Sequence, residues 1–99
     1  MFKKKIVMTK KVYVVLQQWQ DRCGSNDAMI LGVTYSLDKA KQILREERDE
    51  ILANYNQSLD DMKKDDCFVV EDSDEHFYLA DTMVAQWDVI NIIEQQLKD

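Results

Sequence analysis

Apolar positions along this chain follow two periods in turn. Val12-Tyr13-Val14-Val15-Leu16 is a β-branched and aromatic run, which predicts a strand buried on at least one face and placed centrally in a sheet. Gln17 to Asp27 is polar and closes on Gly24-Ser25-Asn26-Asp27, a turn signal, before Ala28 to Tyr35 returns to apolar residues. The two runs predict a hairpin with a long loop. Gly32 stands where a strand side chain would, which predicts a bulge or the close approach of a helix to the sheet.

From Ser36 the period lengthens to that of a helix. Ser36 can accept from the free N–H groups of a first turn, Asp38 complements its positive end, and Ala40, Ile43, Leu44, Ile51, Leu52 and Tyr55 form one apolar stripe to lie on the sheet. Lys41, Arg45, Glu46, Arg48, Asp49 and Glu50 read as the solvated face, with Arg45 and Asp49 spaced as an i, i+4 pair. Ser58-Leu59-Asp60-Asp61 then caps a short extra turn ending near Lys64. Cys67 to Glu71 and His76 to Ala80 flank Asp72-Ser73-Asp74-Glu75, a strand, acidic turn and strand.

Met83 to Leu97 fits either period. Trp87, Ile90, Ile93 and Leu97 suit a helix, while the β-branched density and the lack of a capping box favour a strand, which is the reading adopted. The predicted order is ββαβββ. It describes an α+β domain with a mostly antiparallel sheet of four to five strands and one long helix on one face. Residues 12–99 form the domain and residues 1–11 a basic tail.

Composition narrows this further. At 99 residues the chain holds one core, and 45% hydrophobic with 32% charged residues, no Pro and two Gly suit a regular fold. No segment approaches a bilayer span, and the opening MFKKKIVMTKK lacks the apolar stretch of a secretory signal. Cys23 and Cys67 form no CxxC pair, so the expected home is a reducing, cytoplasmic compartment.

The net charge of −6 is unevenly placed. Five lysines fall within the first eleven residues, whereas Glu46 to Glu75 sets twelve acids against three bases. A body of that sign repels phosphate backbones, so direct binding to nucleic acid is not expected.

Candidate chemistry is sparse. His76 is the one histidine, and a contact with Cys67 across the predicted hairpin is conceivable, but no orienting group or oxyanion element accompanies it. Cys23, Cys67 and His76 lack the short paired spacings of a zinc site, and Asp72 to Glu75 lacks the glycine and the distal glutamate of a calcium loop. The two glycines open no phosphate-binding loop, so neither a cofactor nor a metal is expected and the chain reads as non-enzymatic. Trp87 reads as core. Trp19, flanked by Gln17, Gln18, Gln20 and Asp21, stands equally for core and for an exposed contact surface.

The run Val12-Tyr13-Val14-Val15, the stretch Leu31-Gly32-Val33-Thr34-Tyr35-Ser36 and the helix start Lys39-Ala40 resemble small uncharacterised phage- or mobile-element-type proteins of Gram-positive bacteria. The resemblance covers residues 12–55 and implies an α+β domain without an assigned activity.

The expectation is a protein-binding module, possible in the form of an inhibitor that presents carboxylates to a basic nucleic-acid-binding defence protein of the anti-CRISPR or anti-restriction type. Its candidate contact residues are Asp60, Asp61, Asp65, Asp66, Asp72, Asp74, Glu75 and Trp19. The alternative is a structural homo-oligomer, a homodimer in the simplest case, joined through an exposed sheet edge.

Overall fold

In the computed structural model, which describes residues 9–98, the chain runs β1 (Thr9–Gln20), β2 (Asn26–Thr34), α1 (Leu37–Ala53), α2 (Leu59–Lys63), β3 (Phe68–Asp72), β4 (His76–Asp81) and β5 (Gln86–Lys98). The strands form one antiparallel sheet in the order β2-β1-β5-β4-β3. The fold is therefore α+β with five strands and one main helix, and α2 changes the expected order to ββααβββ. Ser58 caps α2, its hydroxyl accepting from the Asp61 N–H at 3.2 Å.

The central strand is β5, and β1 lies beside it, paired on both edges. β1 also runs farther than its apolar core suggests. Gln17 to Gln20 sit between β2 and β5, where the ladder satisfies their backbone whatever their side chains prefer. The long loop thus contracts to Asp21–Ser25. Asp21 Oδ1 accepts from the N–H groups of Cys23 and Ser25 at 2.9 and 3.0 Å, and Gly24 takes φ +84°. Of the expected basic tail, residues 1–8 lie outside the described residues, while Thr9, Lys10 and Lys11 belong to β1.

Helix α1 starts as expected, with the Ser36 hydroxyl accepting from the Lys39 N–H at 3.3 Å. Ala40, Leu44 and Ile51 pack into a core with Val15, Phe77, Leu79 and Ile90, and Met62 of α2 joins them. Gly32 accounts for both of its expected roles. The β1–β2 register shifts between Val15 and Leu16, and a Cβ on Gly32 would lie 2.8 Å from Ile43 Cδ1. The i, i+4 pair expected at Arg45 and Asp49 is replaced by Arg48, which reaches Asp49 at 3.3 Å and Asp72 at 3.2 Å. No helix among the described residues is long and apolar enough to cross a membrane.

Candidate cleft between α1 and the Trp19 end of the sheet

Alternation decides which strand residues face the helices. In β1 they are Tyr13, Val15, Gln17 and Trp19, and the β1–β5 register places Ile92, Ile90 and Asp88 opposite Val15, Gln17 and Trp19. The first half of this row is core. The second half is polar: Gln17 and Asp88 occupy positions where the pattern asks for apolar side chains. Glu47 does the same on α1, three residues after Leu44 and four before Ile51.

A cleft of about 790 Å³ opens where these three residues meet. Trp19 and Tyr55 supply aromatic surface, and Glu47, Glu50, Asp81 and Asp88 supply carboxylates, with Arg22 as the cation on its wall. Tyr55 is held edge-to-face on Phe68, with centroids 5.8 Å apart and planes at 81°. Gln17 is buried and donates through Nε2 to Asp88 Oδ1 at 3.4 Å, while Arg22 Nε donates to Gln86 Oε1 at 3.3 Å.

The electrostatics follow from this crowding. Burial pushes the Asp88 carboxyl above its ordinary value, opposed by the Gln17 hydrogen bond. Burial also raises Glu47, and the negative charges of Glu50 and Asp88 raise it further. The Tyr55 hydroxyl is raised by burial and then by Asp88 and Asp81, with Arg22 acting in the opposite sense. Among the described residues, none of the four cleft carboxylates belongs to an ion pair. Nor do three His, Cys, Asp or Glu side chains converge there as a metal ion would require. The arrangement offers spread negative charge beside aromatic faces, which suits an extended organic cation such as a guanidinium.

Of the residues expected to contact a partner, Trp19 alone lines this cleft. Asp60 and Asp61 lie in the first turn of α2. Asp65 accepts from the Cys67 N–H at 2.9 Å and from Gln57 at 3.3 Å, which holds its carboxyl below the usual range. Asp66 is exposed beside it. Asp72 is bonded to Arg48, and Asp74 and Glu75 occupy the exposed β3–β4 turn. Because β3 separates Asp66 from Asp72, the acidic stretch is split between opposite ends of one strand rather than gathered on one surface.

Cys67 and His76 also stand at opposite ends of the β3–β4 hairpin, so the contact weighed from the sequence is not made. The Asp65 hydrogen bond raises the Cys67 thiol, which disfavours the thiolate. His76 instead bonds Asn91 Oδ1 through Nδ1 at 2.6 Å and Glu71 Oε1 through Nε2 at 2.8 Å. Hydrogen bonds accepted by Asn91 and then Glu71 raise its pKa against the effect of burial.

Sequence reasoning missed Gln17, Glu47 and Asp88 as a group. The available signal was polarity at positions where a strand or helix period predicts core. No family model, curated protein or solved structure matches this chain.

Proposed function

We propose that this chain is a non-enzymatic protein-binding module whose cleft receives a cationic side chain, an arginine by preference, from a basic partner protein. The observation that carries this reading is the set of four carboxylates without ion-pair partners around Trp19 and Tyr55. Two of them, Glu47 and Asp88, are ionised at a cost because burial disfavours their charge. A guanidinium entering the cleft offsets that cost, donates bidentate hydrogen bonds to a carboxylate and stacks on the aromatic faces.

The resemblance of residues 12–55 to mobile-element proteins gives the partner its proposed form, a host nucleic-acid-binding defence protein whose phosphate-binding arginine the cleft would occupy. The remaining acids then steer association rather than form the contact, since exposed charges act mainly on the encounter rate.

The test is titration of the protein with Nα-acetyl-arginine amide, followed by NMR at the Trp19 indole, with the citrulline amide as the neutral counterpart. Saturable shifts at Trp19 with the arginine amide alone, weakened in Asp88→Asn and Glu47→Gln, support the reading. Absence of saturation, or equal shifts from citrulline, rejects it.

A further inference from the structure

Both helices pack on one face of the sheet, through the core shared by α1, α2 and the inward residues of β1, β3, β4 and β5. On the other face Ile30, Val33, Val69 and Ile93 stand 59, 60, 47 and 37% exposed, an unusual density of large apolar side chains on one surface. Register gathers three of them at one end of the sheet, where Ile30 stands in the row next to Val33 and Ile93, and places Val69 on the far edge strand. Val33 pairs with Val14 and Val14 with Ile93, so three aliphatic residues cross the sheet side by side. Trp87 and Ala80 form a second such row with Val69.

Charge is missing from the same surface. Between the rows of Val12 and Gln20, its one acid among the described residues is Glu71 on the edge strand, already bonded to His76. In a chain of net charge −6 this is where a second molecule of like charge can approach without repulsion.

We propose that this face packs on the same face of a second copy, sheet against sheet, about a two-fold axis. The area is sufficient. At about 4.8 Å between strands and about 3.3 Å per residue, the shared parts of the five strands cover on the order of 600 Å². Two such faces reach about 1,200 Å², the lower bound for a stable interface. His76 ties Asn91 Oδ1 and Glu71 Oε1 together, so these three polar side chains enter the interface already joined to one another. The cleft lies on the helix side, so the dimer and the cleft are independent and each can fail without the other.

The experiment is sedimentation over micromolar to millimolar concentrations, paired with fluorescence of a Trp19→Phe variant in which Trp87 is the remaining tryptophan. The expected result is a species of twice 11.7 kDa, with Trp87 emission moving to shorter wavelength as it forms. Val33→Lys with Ile93→Lys, each at an exposed position, places like charges against one another in the dimer and yields a folded monomer by far-UV circular dichroism. Met29→Lys, exposed on the opposite face of β2, stays dimeric. A monomer at every concentration overturns the proposal, as does a dimer that survives both lysines. A dimer that forms without change in Trp87 emission also overturns it and assigns the contact to a sheet edge. Should the lysine variant unfold, the Trp87 reading decides alone.

Discussion

Replacing Gly32 by Ala tests where α1 sits, and with it the position of Glu47 one helical turn beyond Ile43. The added Cβ would lie 2.8 Å from Ile43 Cδ1. Carbon contacts are optimal near 3.5 to 4.0 Å, so the overlap approaches ~1 Å and Ile43 must leave its rotamer, at about 0.5–1.5 kcal/mol. Against that, alanine in a strand regains roughly 0.5–1 kcal/mol over glycine. The single substitution should therefore change stability by less than about 1 kcal/mol, the residue of two larger effects. Ile43→Val removes Cδ1 and leaves Cγ1 and Cγ2 at 3.8 and 3.9 Å, ordinary contacts. Alone it should cost about 0.5–1.5 kcal/mol. In the double variant the clash is gone, so the cycle should show a favourable coupling of roughly 1 kcal/mol. Urea midpoints of the four proteins, compared at equal slope, measure it. Additivity within about 0.3–0.5 kcal/mol would mean that α1 does not cross the sheet at Gly32.

Three other outcomes follow from burial and charge. Leu44→Ala, at a fully buried position, should destabilise by about 2–5 kcal/mol, whereas Arg45→Ala on the exposed side should be nearly silent; equal midpoint shifts would refute the assigned helix face. Burial raises Asp88 above 3.8, so its proton is held more tightly in the folded state: ionisation penalises the fold above the folded value, and the penalty fades as pH falls through that value and is absent below 3.8. Asp88→Asn should then raise the denaturation midpoint at pH 7, with the gain shrinking at pH 3, and a loss at pH 7 would contradict this. His76 is raised above 6.5, so its contribution to stability is complete below that value and is lost as pH rises through the folded one; its NMR titration should move downward in Glu71→Gln, and an unmoved titration would remove Glu71 as a cause.

The elements were largely legible because their signals are local. Ser36 and Ser58 announce the two helix starts, and apolar alternation announces β3 and β4. Two boundaries were hidden for stated reasons. Gln17 to Gln20 look like loop because their strand character comes from pairing on both sides, which no local window contains. The turn before β5 lacks Gly, Pro and Asn, and Ala85 takes φ 54° in their place, so the composition does not show that β5 begins at Gln86 rather than at Met83. The cleft was less legible than the fold. Counting acids points to the dense run from Glu46 to Glu75, yet Asp65 is bonded within its own turn and Asp72 to Arg48 on α1. The informative carboxylates are Glu47, hidden within the charge of the helix, and Asp88, isolated among apolar residues. Both were visible as interruptions of a core period, and only tertiary pairing shows that they interrupt it at the same place.

The central claim is that the cleft carboxylates are uncompensated until a cation arrives, and the side-chain carboxyl titration of Asp88, followed by carbon-detected NMR with and without Nα-acetyl-arginine amide, tests it most directly. The free protein should titrate above 3.8, and saturating arginine amide should lower the midpoint because the guanidinium favours the ionised form. A midpoint that stays where it was while the Trp19 indole reports occupancy, or one at or below 3.8 in the free protein, would contradict the account.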